Sequence, residues 1–355
     1  MNKNTTLVIG KNKVGKTRKI LFKELENRIN NNENLFILDS RLEYYNHFGK
    51  KLEDNGYDIR VVNFREPLKS CGWDPISYVA YLYQEEKYDR AVEILEMIGK
   101  EIFRNEVKDA DPFWTDMATN YFIGLSLILL KIAKEKNDKS ALNFYSLLSI
   151  MNEGEEKYQD TTYLRAYCKK LDIFDPIYIS LSSIINAPND TKGSIMSVFK
   201  QRVNKYFMRP ELVKLFCNDS FKVKEIKNTD KLAIFVIGHN PLNDLVNVLC
   251  YECFDIVNYC NKQMTFILDG FDSLPKLNNI SDIIEIANHS KIDLFITTTN
   301  LDSLKEKYYG YSFCDVEDVI ELNDYYEEDI NDKEYLLPKL KDRKLEKFEF
   351  KKYVN

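Results

Sequence analysis

Residues 5–24, TTLVIGKNKVGKTRKILFKE, carry three structural signals in sequence. The apolar run Thr6 to Ile9 has the character of a strand. Gly10-x-x-x-x-Gly15-Lys16-Thr17 follows as a tight loop, and Ile20, Leu21 and Leu25 then recur as one face of a helix. A strand, a glycine-bounded loop and a helix start, in that order, aim several backbone N–H groups and the positive helix end at one point, where a phosphate is held. The eight-residue pattern alone also occurs in lysine-rich surface turns; the flanking strand and helix decide for nucleotide binding. Gly10, Lys11, Asn12, Lys13, Val14, Gly15, Lys16, Thr17 and Arg18 are then the nucleotide-binding residues. Lys16 reaches the β/γ oxygens of ATP, and the Thr17 hydroxyl ligates Mg²⁺.

A chain of 355 residues suits one large or two medium domains with a buried core. Its net charge of −6 gives no global signal for nucleic acid. Seven cysteines, scattered from Cys71 to Cys314, fit a reducing compartment rather than a disulfide framework. Cys250 and Cys253 form a C-x-x-C, but no second pair or nearby histidine completes a zinc site. Their apolar, helical surroundings make them buried thiols. No signal peptide precedes the first strand. The longest apolar stretch, Tyr121 to Leu130, is half of the roughly 20 residues a bilayer needs and is expected to be a core helix. The chain is therefore expected to be soluble and cytoplasmic, without a transmembrane segment, and to meet a membrane only through a partner.

Residues 1–77 alternate strand and helix signals, with strands at Leu7–Ile9, Leu35–Leu38 and Ile59–Phe64 and a helix near Tyr44–Asn55. From 78 to 225 apolar residues recur at three and four, across Ala91–Ile102, Trp114–Ala133, Ala141–Met151, Tyr163–Leu171 and Ile195–Tyr206. The α/β pattern resumes over 226–355. It offers strands at Leu232–Ile237, Met264–Leu268, Leu294–Thr298 and Val319–Leu322, and helices at Leu245–Tyr259, capped by Asn240-Pro241, and Ser281–His289. Phe348 and Phe350 alternate as on an edge strand, and the acidic residues 324–334 read as a solvated loop. The fold class is α/β: a mostly parallel sheet built from 1–77 and 226–355, interrupted by an all-α insertion over 78–225.

A P-loop ATPase also needs an acid at another strand's end to hold Mg²⁺. FILD occurs twice, ending at Asp39 and Asp269. Asp269 is preferred, because an apolar strand and a helix precede it and a further strand follows. The next residue is Gly270, so the carboxylate that usually polarises water is missing. Asp272 substitutes only if the chain turns back; the plainer alternative, and the favoured one, is that it caps the following turn.

The order of these motifs resembles the type IV secretion coupling proteins, the conjugative DNA transfer ATPases of the VirD4/TraG class. The likeness runs through FILD and Trp73-Asp74-Pro75-Ile76, DPFWTDMATNYFIGLSLILL (111–130), KGSIMSVFKQRV (192–203), KLAIFVIGHNPL (231–242), ILDGFDSLPKL (267–277) and KIDLFITTTNLDSLKEKYYG (291–310). It implies a RecA-like nucleotide-binding domain carrying an all-α domain, assembly as a homo-hexamer, and ATP-linked delivery of single-stranded DNA or a relaxase complex to a membrane secretion-channel subunit. It also implies arginines donated by a neighbouring subunit, for which Arg202 and Arg209 are weak candidates. Three departures stand out: the family's N-terminal membrane helices are absent, Gly270 replaces Glu, and Thr299 stands where Gln is usual.

Two functions follow as expectations. One is a soluble, trimmed coupling ATPase docked at the inner face of the cell membrane, with Lys16, Asp269, Asp272, Thr299 and Arg209 as catalytic candidates. The other is a non-hydrolysing, nucleotide-dependent adaptor that recruits substrate through its helical domain. Lys192, Lys200, Arg202, Lys205 and Arg209, with Tyr206 and Phe207, offer a weak DNA-binding stretch; aromatics at this spacing are more often core.

Overall fold

A computed structural model describes residues 4–104, 111–137, 142–273, 276–277, 280–308, 316, 318–323, 335–341, 343 and 348–354. Strand β1 (Thr5–Gly10) leads into a helix that opens with π-type turns over Lys16–Leu21 and continues as α1 (Phe22–Asn30). Strand β2 (Asn34–Leu38), helix α2 (Glu43–Asp54) and strand β3 (Asp58–Asn63) follow. Helices α3 (Ser77–Gln84), α4 (Tyr88–Ile102), α5 (Phe113–Lys136) and α6 (Ser146–Gly154) come next, then the two-residue strands β4 (Lys157–Tyr158) and β5 (Thr161–Thr162). Helices α7 (Tyr163–Cys168), α8 (Pro176–Ile185), α9 (Asn189–Phe207) and α10 (Pro210–Phe216) complete this stretch. The chain returns through β6 (Leu232–Ile237), α11 (Asn243–Tyr259), β7 (Met264–Leu268), α12 (Ile280–His289), β8 (Ile292–Thr298), α13 (Leu301–Lys307) and β9 (Asp318–Leu322). A short 3-10 turn, Asn240–Leu242, precedes α11, so Asn240-Pro241 opens that turn rather than the helix itself.

Two compact units emerge: Met1–Cys71 with Phe221–Lys339, and Gly72–Ser220 with Leu340–Asn355. In the first, seven parallel strands lie in the order β3-β6-β2-β7-β8-β1-β9. β1, β2, β6 and β7 are buried along their whole length, as expected of a parallel sheet covered on both faces. One core forms where Leu21, Leu25 and Ile29 meet Phe48, Leu52, Val61 and Phe235. The strap Tyr335–Leu337 lies along α2. The Tyr335 N–H donates to Asn46 Oδ1 (3.1 Å), and the Tyr45 hydroxyl donates to the Leu336 carbonyl (2.9 Å).

The second unit is organised by α5. By length and composition this helix is apolar enough to cross a membrane, yet 78% of its apolar window is buried within the protein, as expected of a core helix. Phe103, Tyr121 and Phe199 pack their rings at 5.0–5.2 Å. The unit begins earlier than residue 78, because the buried Asp74 carboxylate accepts the N–H groups of Ile76 (2.8 Å) and Phe144 (2.8 Å). The C-terminal residues also fall here rather than with the sheet. Phe350 packs on Tyr167 (5.6 Å), and the Lys351 N–H reaches the Glu153 carboxylate (3.0 Å). Phe350–Tyr353 is a 3-10 turn, so the expected edge strand is not formed. The acidic stretch 324–334 lies outside the described residues.

Candidate nucleotide-binding site

β1 ends at Gly10, hydrogen-bonded to β8 on one side and β9 on the other. A Cβ on Gly10 would stand 2.6 Å from Val14 Cγ2 and 2.7 Å from the Leu322 carbonyl, so only glycine lets the chain turn there. Lys13 and Gly15 take φ values of 66° and 88°, the alternation that faces successive amides into one concavity. The Lys16 ammonium folds back over this loop to donate to the carbonyls of Gly10 and Lys11. Its burial lowers its pKa from the ordinary lysine value, while the carboxylates of Asp269 and Asp272 and the Arg41 charge act on it in opposite senses.

The two FILD segments lie side by side in register: Phe36 pairs with Phe266, Ile37 with Ile267 and Leu38 with Leu268. The two phenylalanine rings stack at 4.9 Å. Asp39 and Asp269 therefore crown adjacent strands, and their surroundings separate them. Asp39 is buried and accepts the Tyr45 N–H (2.8 Å) at the start of α2; burial raises its pKa to about 7. Asp269 faces the phosphate loop. Its Oδ2 accepts the hydroxyls of Thr17 (2.9 Å) and Tyr44 (2.9 Å), and its Oδ1 accepts that of Thr297 (2.6 Å). Tyr44 is buried, and burial with the neighbouring Asp269 charge pushes its phenol well above the usual tyrosine range, so it stays a donor.

β8 stands between β1 and β7, which brings Thr297 beside Asp269 and Thr299 to the end of the strand next to the loop. Gly270 takes φ of 71° and donates its N–H to Thr297 Oγ1 (2.8 Å). The chain then turns back through Phe271–Ser273. The Asp272 Oδ2 accepts the N–H (3.2 Å) and hydroxyl (2.5 Å) of Thr299, and its carbonyl accepts the Lys307 ammonium (3.2 Å).

These groups enclose a cavity of about 500 Å³. Lys11, Asn12, Lys13, Gly15, Lys16, Thr17 and Arg18 line it, together with Asp269, Gly270, Asp272 and Thr299. Gly10 and the buried Val14 shape the loop from behind. Tyr44, Arg41 and Thr297 also line the cavity and were not singled out from sequence. Thr297 had a signal, since it stands in the TTT run that ends a strand; Tyr44 had none, because its role depends on where α2 packs.

The remaining candidates lie in the helical unit. Arg209 is exposed at the start of α10 and donates to the Lys205 carbonyl. Tyr206 is fully buried against Phe144 and Phe216, so it is a core residue and cannot stack on a base. Phe207 packs on Phe144 and Tyr145, and Lys192 pairs with Glu155 (2.6 Å). Cys250 and Cys253 are buried free thiols in α11, and burial raises the Cys250 pKa to about 12. Among the described residues no cluster of three His, Cys, Asp or Glu side chains is built to hold a metal by itself.

Parallel sheet, phosphate loop and facing carboxylate together define a RecA-like P-loop nucleotide-binding fold. The family model for type IV secretory system conjugative DNA transfer matches residues 6–314, and the chain belongs to that family. Among solved structures it is similar to the bacterial conjugative coupling protein TrwBdeltaN70 in its unbound form, with a TM-score of 0.55 and 13% identity. That match covers 86% of this chain and 64% of the other, so this chain spans less than two thirds of it. The plasmid coupling protein TrwB in complex with ADP and Mg²⁺ aligns with a TM-score of 0.54 and 13% identity, covering 86% of this chain and 66% of TrwB. The same protein with the non-hydrolysable GTP analogue GDPNP gives 0.55 and 14%, over 86% and 66%. A comparison with curated proteins finds no match.

Proposed function

We propose that this chain is an ATP-binding, coupling-type ATPase of a type IV secretion or conjugation system. It would deliver DNA or a relaxase-bound strand to a membrane secretion channel, working as a homo-hexamer at the inner face of the membrane. The observation that carries the proposal is the 2.9 Å contact between the Thr17 hydroxyl and the Asp269 carboxylate at the mouth of the phosphate loop. A hydroxyl and a carboxylate are the hard oxygen donors that suit Mg²⁺, and the cavity beside them is lined by backbone amides and lysines that suit a triphosphate. The relatives with ADP and Mg²⁺ or a GTP analogue support the same ligand class.

In this scheme the loop amides and Lys16 bind the β- and γ-phosphates, exchanging the Gly10 and Lys11 carbonyls for phosphate oxygens. Bound Mg²⁺ would neutralise charge developing on the leaving group, with Thr17 and Asp269 as its protein ligands. Asp272, held by Thr299, accepts a proton from the attacking water, the part that Glu would play at position 270. An arginine of the neighbouring copy, for which Arg209 is the candidate, completes the site.

Gly270 favours a second reading, a nucleotide-dependent adaptor that does not hydrolyse. Steady-state ATPase measurements with and without single-stranded DNA separate the two. Turnover that rises with DNA supports the motor; Mg-ATP binding without turnover supports the adaptor. Lys16→Ala is expected to lose nucleotide binding, and a variant that binds ATP as well as wild type would refute the phosphate-loop role.

A further inference from the structure

Three hydroxyls converge on Asp269, from Thr17 on the phosphate loop, Thr297 on β8 and Tyr44 on α2. Thr17 is the proposed metal ligand, so its donation belongs to the nucleotide site itself. The Tyr44 phenol has no comparable duty. Its ring is buried and packs on Phe22 with centroids 5.1 Å apart, which locks the side chain. The first turn of α2 is held in turn by the Asp39 carboxylate, which takes the N–H of Tyr45. From the end of β2 to Asp269 the connections are therefore short and buried. A neutral donor fixes the orientation of a carboxylate without cancelling the charge a cation needs.

We infer that Tyr44 is the positioning residue for the Mg²⁺ ligand Asp269, setting the affinity of the site for the metal through that carboxylate. The inference rests on the nucleotide-site assignment above. It makes α2 part of the metal site through a tyrosine that no sequence motif marks.

Tyr44→Phe removes the hydroxyl and keeps the ring. In the full chain, ADP binding measured by calorimetry across a Mg²⁺ titration is the readout. The variant is expected to need roughly tenfold more Mg²⁺ for half-maximal tightening of ADP, in line with loss of a ligand's hydrogen-bond partner. Its ADP affinity without metal is expected to stay within about twofold, since the phosphate loop is untouched. Thr297→Ala, which removes the hydroxyl on the other carboxylate oxygen, is expected to shift the Mg²⁺ requirement the same way, and Thr297→Ser to restore it. An unchanged Mg²⁺ requirement in Tyr44→Phe overturns the inference while leaving the nucleotide site intact. A wild-type protein whose ADP binding ignores Mg²⁺ overturns both.

Discussion

The Asp272 carboxylate is bound to Thr299 twice, through the backbone N–H at 3.2 Å and the side-chain hydroxyl at 2.5 Å. Thr299 stands where the resembled family usually has Gln, and Asp272 lies two residues past Gly270, which stands where Glu is usual, so the contact links the two departures. The turn at Gly270 is what delivers Asp272 to the cavity wall.

Asp272→Asn is accordingly expected to lower kcat by about 100-fold, the lower range for removing a general base, with KM for ATP little changed. Thr299→Val keeps the backbone donor and loses only the hydroxyl, so a smaller drop, on the order of tenfold, is expected. Steady-state kinetics on both variants check this; an Asp272→Asn protein with wild-type kcat rules out the base.

Installing the usual Glu at position 270 is not expected to improve the enzyme. Gly270 has φ of 71°, a region that costs a residue with a Cβ about 1–2 kcal/mol. Gly270→Glu should lower the melting temperature and, by relaxing the turn, move Asp272 away from Thr299. A melt and an ATPase assay decide: a variant at least as stable and faster than wild type would contradict the strained turn.

Stability should depend on pH through Asp39. Its folded pKa is raised to about 7, against roughly 3.9 for an unfolded chain. Between those values the unfolded state has released a proton that the folded state keeps, so folding loses up to about 1.4 kcal/mol per pH unit. The loss begins near pH 4 and levels off above about pH 7. Asp39→Asn still accepts the Tyr45 N–H but cannot ionise. Its melting temperature should rise relative to wild type as pH goes from 5 to 8, and parallel curves would refute the assignment.

Tyr206 separates packing from DNA binding in the helical unit. Tyr206→Ala is expected to destabilise the protein by about 3–4 kcal/mol, as other buried aromatic truncations do. Chemical denaturation provides the number. A fully stable variant with weakened single-strand binding would return the residue to the nucleic-acid surface.

The phosphate loop was legible because its chemistry is local: spacing, glycines and helix start all sit within one window. The strands were legible for the same reason, as unbroken apolar runs. The choice between Asp39 and Asp269 was not settled by the tetrapeptide, which is identical at both sites. Register and the packing of α2 set Asp269 against Thr17 and Asp39 against the Tyr45 N–H, and both are long-range. Helices α8 and α10 were missed although each opens with Pro at its first position; for α8, Asp175 caps the Ile177 N–H at 2.9 Å. Their short apolar sequences show too few turns for a helical period to appear. The C-terminal aromatics misled because a two-residue alternation is shared by an edge strand and a tail that packs into a helical unit.

Strand β1 precedes the other strands of the sheet in the sequence, yet it pairs with β8 from Thr5↔Leu294 onward and with β9 from Thr6↔Asp318. Until β8 is made, roughly 280 residues after β1, the strand bearing the phosphate loop has neither neighbour, and its second edge stays open until β9 follows. Nucleotide cannot then template early folding. A nucleotide bound in that loop would act only once β8 has joined β1.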